Sequence, residues 1–127
     1  MKQRLFILGL AVAAFGMLSA PLGAHHGGAA YDQTQNVTFS GAVTELQFTN
    51  PHVLVFFDVK TNEGATEKWS GWLTAPNMLA RAGWTKRTLE PGDQITIAGS
   101  PHKGGNHILQ LKKLLGPEGD QLPLFEN

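Results

Sequence analysis

Five histidines carry most of the chemistry this sequence offers: His25, His26, His52, His102 and His107. Neutral imidazole is a good ligand for copper, zinc and nickel, and a metal site forms where several such rings converge on one point. The adjacent pair His25-His26 stands out because it follows a segment laid out like an export signal. Lys2 and Arg4 give that segment a basic start, Leu5 to Leu18 is an uninterrupted apolar run, and Ser19 to Ala24 is small and turn-prone. Cleavage is expected after Ala24, since the alternative cut after Ala20 leaves Pro21 at the new terminus. The mature chain then starts with a free amine on His25. A terminal amine titrates at about 7.7 to 8.0, so copper can displace its proton at neutral pH. Amine and ring close on one ion as a chelate, and a third nitrogen completes a site of the histidine-brace type.

The same segment sets the compartment. Its apolar run is shorter than the roughly 20 residues a membrane-spanning helix needs, and no second run of that kind follows. No stable membrane anchor is therefore expected, and the mature protein is predicted to be periplasmic. The chain has no cysteine, which removes a lipoprotein anchor, disulfides, thiolate metal sites and a cysteine nucleophile together. Without Lys2 and Arg4, eight basic residues stand against ten acidic ones, a balance unlike the basic footprint of a nucleic-acid binder. There is no nucleophile elbow, phosphate-binding glycine loop or dinucleotide fingerprint. No histidine pair has the helical spacing of a zinc hydrolase, and no catalytic residue is assigned.

Taking 24 residues from 127 leaves 103, enough for one core. Residues 25–36 and 116–127 read as polar, Gly- and Pro-containing tails, and residues 37–115 as a β domain. Val37, Phe39, Gly41 and Val43 alternate with Thr38, Ser40, Ala42 and Thr44, the period of a half-buried strand. Leu46 and Phe48 continue on the other parity, so this first strand must bend or bulge between Gly41 and Glu45. Thr49-Asn50-Pro51-His52 is a turn, Val53 to Val59 a second strand, Asn62-Glu63-Gly64 a hairpin turn, and Glu67 to Leu73 a third strand. Pro76 starts a helix of about two turns that Gly83 stops. After the turn Glu90-Pro91-Gly92-Asp93, Ile95 and Ile97 mark a fourth strand closed by Gly99, Ser100 to Asn106 a loop, and His107 to Leu115 a fifth strand.

The order strand-strand-strand-helix-strand-strand is that of an OB-like five-stranded β-barrel, an all-β fold with one short helix. A meander or an open sandwich is the competing architecture. In the barrel, the loop between strands one and two carries His52, and the loop between strands four and five carries His102 and leads into His107. The stretch from Gly27 to Val37 spans roughly 35 Å if extended, enough for His25 to reach either loop.

His25-His26, Tyr31-Asp32, Asn50-Pro51-His52, Trp69, Pro76-Asn77, Gly83-Trp84 and Leu89-Glu90-Pro91-Gly92-Asp93 form an ordered set spread along the mature chain. In this set the chain resembles DUF6152, a family of small exported bacterial proteins described as a domain of unknown function. The resemblance implies export and a small β domain, and brings no activity. Where the family pattern has Ser after the two histidines, this chain has Gly27; His102 and His107 lie outside the pattern.

Two functions stay open. The first is a periplasmic metal-binding protein, for copper, that uses His25 and His26 with His52, His102 and His107. The second is a non-metal module that recognises a periplasmic protein partner through an exposed strand edge or an aromatic surface around Trp72 and Trp84. Each histidine also has a plainer role. His25-His26 serves as a solvated terminus, His52 holds its turn by bonding a loop carbonyl, and His102 and His107 decorate a polar loop. Asp32 either orients an imidazole or closes an ordinary turn. The tryptophans either stack ligands or fill the core.

Overall fold

The computed structural model describes residues 27–124. A 3-10 turn at Gly28–Ala30 precedes β1 (Val37–Gln47), β2 (Leu54–Lys60), β3 (Thr66–Trp72), α1 (Pro76–Arg81), β4 (Gln94–Pro101) and β5 (Ile108–Leu115). The strands close into a barrel in the order β1-β2-β3-β5-β4, with the helix between β3 and β4. All neighbours are antiparallel except β3 and β5, which run parallel from Ser70 opposite Ile108 to Trp72 opposite Gln110. This is the expected OB-like barrel.

Closure depends on β1. Its residues from Val37 to Ala42 pair with β4, and those from Ala42 to Gln47 pair with β2. The register shifts between Val43 and Glu45, the bulge that the change of apolar parity required. Gly41 lies at the bend, where a Cβ would come within 2.6 Å of the Asp58 carbonyl oxygen, so only glycine lets β2 approach this closely.

Inward residues of β1, β2, β4 and β5, including Val43, Val55, Phe57, Ile97, Leu109 and Leu114, form one buried cluster, against which Trp69 of β3 packs. Each such side chain contributes on the order of 1.5–3 kcal/mol by leaving water. The helix is too short to stand alone. It has Pro76 at its first turn, no side-chain cap, and fully buried Leu79 as its anchor. Gly83 ends it at φ +96°, a conformation that suits glycine.

The sequence marks Gly99 as the end of the fourth strand, but β4 runs on to Pro101. The register to β5 shifts between Ala98 and Gly99, and a Cβ on Gly99 would fall 2.1 Å from the Gln110 carbonyl oxygen. The glycine admits the neighbouring backbone and leaves the strand intact.

Both flanking segments lie on the barrel. Asp32 donates its amide to the Pro101 carbonyl, and Lys103 donates its amide to that of Ala30. At the other end of the chain, Leu122 donates to the Leu114 carbonyl, and Leu122 and Leu124 pack against the core. No helix among the described residues is long and apolar enough to cross a membrane.

Candidate functional site

The amino-terminal segment from Gly27 to Gln35 forms a strap across β4 and β5. Tyr31 makes an isolated antiparallel bridge with His102, flanked by the two backbone bonds that tie Asp32 and Lys103. Side chains extend this seam. Gln33 donates to the Gln110 side chain at 2.6 Å, and the buried Ser100 hydroxyl lies 3.4 Å from Gln33 Oε1 and 3.2 Å from the Gln35 carbonyl oxygen. Asp32 takes the turn role: its carboxylate accepts from the Thr34 hydroxyl and amide and from Gln35 Nε2. Those Thr34 bonds, with a smaller one from Gln35, hold its carboxyl below the ordinary carboxylate range.

The strap carries Tyr31 onto the outer face of the barrel beside Trp72. Tyr31 is buried there, its phenol pushed above its usual pKa by that burial. Its ring lies 6.0 Å from Trp72 and 5.7 Å, edge-on, from His102. On the other side of Trp72, the His52 ring sits 4.2 Å from the indole. A row of four rings results, His52, Trp72, Tyr31 and His102, in which all but Tyr31 are half-buried. His52 is delivered by the loop from β1 to β2, in which Asn50-Pro51 is a cis peptide, and its neighbour Val53 exchanges backbone bonds with Leu73 and Thr74.

His107 goes elsewhere. It stacks on Trp69 at 4.4 Å and 9°, and Trp69 in turn meets Phe39 at 4.6 Å. Trp69 and Trp72 are three residues apart on β3, hence on opposite faces. The loops therefore bring His52 and His102 to one row and leave His107 in another. Among the described residues no three histidines or carboxylates form a metal-holding group. His25 and His26 lie outside the described residues.

Hydrogen bonding separates the two histidines of the row. His52 Nδ1 is 3.2 Å from the Leu73 carbonyl oxygen, which can only accept. In the neutral ring Nδ1 thus carries the proton and Nε2 the lone pair. His102 is the reverse: the Gly104 amide donates to its Nδ1 at 3.0 Å, so the proton sits on Nε2.

One sequence-based assignment is corrected. Trp84, read as part of a partner surface, is 3% exposed within the core cluster, and its indole N–H donates to the Pro123 carbonyl at 2.9 Å. The carboxy-terminal segment covers it, so of the two tryptophans only Trp72 keeps an outward face. Conversely, sequence reasoning gave Tyr31 no contact role. The available signal was its isolation: it is the chain's single tyrosine, set in a small and polar stretch that offers nothing else to bury.

Residues 13–110 match the sequence profile described as Family of unknown function (DUF6152). The chain belongs to that family. The match includes the strap, His52, Trp72 and His102, so this member of DUF6152 carries its ring row within the matched span. No curated protein matches the chain. Among solved structures, the barrel is similar to part of the ZRD-deleted mutant of TiaS in complex with agmatine, with 20% identity and a TM-score of 0.48 over 76% of this chain and 26% of that one. The apo form of TiaS gives 21% identity and a TM-score of 0.43 over 66% and 18%. The DUF6152 chain thus spans about a quarter or less of these proteins.

Proposed function

We propose that this DUF6152 protein is an exported periplasmic metal-binding protein, for copper, that uses its amino-terminal histidines together with loop histidines in delivery, storage or sensing. The observation that carries the reading is the strap. It seats the residues that directly follow His25-His26 on the Tyr31–Trp72 pair, which is flanked by His52 and His102. Gly28 lies against the side chain of Gln110, the register partner of Trp72, so the strap starts beside the strand next to this row. The donor set suits copper or zinc, since imidazoles and a terminal amine are nitrogen ligands of intermediate softness.

The test is a copper(II) titration of protein purified from the periplasm and shown by intact mass to begin at His25, beside a copy with one extra residue before it. Tight one-to-one binding that the extended copy loses supports the reading. Equal weak binding by both, or an intact mass that starts elsewhere, overturns it and favours a protein-interaction module with Trp72 on its surface.

A further inference from the structure

The barrel has an opening that shares no residue with the ring row. Pairing between β1 and β2 stops at Ala42 opposite Asp58, where β1 turns to follow β4, whereas β2 and β3 stay paired as far as Lys60 opposite Thr66. The strands part there and leave an open cleft of about 430 Å³. Gly41 and Ala42 form its floor, since neither has a side chain long enough to fill it. Ser40 and Gln94 line one wall, and Asp58, Lys60 and Thr66 the other. We propose that this cleft binds a short zwitterionic peptide of about two residues, with Asp58 receiving its amine and Lys60 its carboxylate.

The charges set the ligand class. Lys60 stands two residues beyond Asp58 on the same face of β2, a rise of roughly 6.8 Å. An extended dipeptide spans about 7 Å, which brings its two termini to the two opposite charges. A lone anion would leave Asp58 opposed to it, and a lone cation would meet Lys60 in the same way. Asp58 is only loosely engaged within the protein: Lys68 reaches it at 3.9 Å, with 88% of the lysine side chain exposed, a contact that solvent screens. The side chains of Lys60, Thr66 and Gln94 have no partner among the described residues. The cleft therefore offers an ammonium, an accessible carboxylate, and hydroxyl and amide groups for the peptide bond between them, and no aromatic ring. Beyond Asp58 the β1-facing edge of β2 also lacks a strand neighbour, so its main chain can bond the ligand's amide as it would an added strand.

The experiment is a titration of alanylalanine into the isotope-labelled protein purified from the periplasm, followed by amide chemical shifts. EDTA is present throughout, so the outcome does not depend on the metal reading. Saturable shifts are expected at Ser40–Ala42, Asp58–Lys60, Thr66 and Gln94, with a dissociation constant of about 1 mM or below. Acetylating the peptide's amine or amidating its carboxylate removes one charge and should weaken binding by about tenfold. Lys60→Gln should weaken the parent peptide by about tenfold and leave the amidated one almost unchanged; Asp58→Asn should do the same with the acetylated one. Lys68→Gln removes the competing ammonium and should tighten binding by a few-fold. Ala42→Leu fills the floor and should abolish binding; if it unfolds by circular dichroism, the exposed Lys60 variant decides. Absence of saturable shifts in the cleft overturns the proposal, as does equal binding of the peptide and its two capped forms, or a folded Ala42→Leu protein that still binds.

Discussion

Two imidazole–indole pairs sit three residues apart on β3, and they do different work. Trp69 is on the parity of Gly71, whose partner Val55 is fully buried; it packs against the core and stacks flat on His107. Trp72 has the other parity and tilts 43° against His52 under the strap. Strand alternation alone decides which indole belongs to the interior. What marks His52 is a second factor, the Leu73 carbonyl beside its ring, and this is invisible in a list of histidines. A His–Trp contact is therefore a flat stack beside the core in one place and a tilted contact with a backbone-bonded imidazole in the other.

The largest expected effect tests whether both pairs depend on one register. Gly99 sets the bulge that aligns Ser100 with Gln110, and through them the strap. Gly99→Ala forces a methyl onto the Gln110 carbonyl and is expected to destabilise by about 3 kcal/mol or more, read by denaturant unfolding. Unchanged stability would show that the strap and Trp72 are held independently of that bulge.

The next effect separates the tryptophans. Trp69→Ala opens the Phe39–Trp69–His107 stack beside the core and should lose about 2–3 kcal/mol. Trp72→Ala forfeits ring contacts with Tyr31 and His52 on the outer face of the barrel and should lose about 1 kcal/mol in the same unfolding experiment. Equal losses would erase the distinction drawn between the two faces.

The smallest effect concerns the strap turn. Because Thr34 lowers the folded-state pKa of the Asp32 carboxyl, its contribution is present above the ordinary carboxylate range and is lost as pH falls through the lowered value. Asp32→Asn should lower the melting temperature slightly at neutral pH, and the difference from the parent should vanish in acid. A difference that persists in acid would assign the turn to hydrogen bonding alone.

Sequence pattern carried the barrel further than the site. The parity change between Val43 and Leu46 located the bulge in β1, and Pro76 and Gly83 bounded the helix, because these features act through side-chain period and backbone freedom. Gly99 reads as a stop because a glycine that ends a strand and one that lets a neighbour approach look the same without that neighbour. The strap left almost no trace, since it is held by backbone bonds at Asp32 and Lys103 and by two glutamines, none of which has a period. Trp84 misled because its cover, the Pro123 carbonyl, comes 39 residues later in the chain.

The double pairing of β1 has a kinetic counterpart. Amides of Val37–Gln47 are bonded to β4 over one half and to β2 over the other, so their exchange with solvent requires the whole ring to come apart. Gly28–Tyr31 hangs on a few bonds at the rim and opens at far lower free energy. The ring row thus joins the most persistent part of the molecule to the most readily released, and the contact between Tyr31 and Trp72 can part by a small local opening while the barrel stays folded.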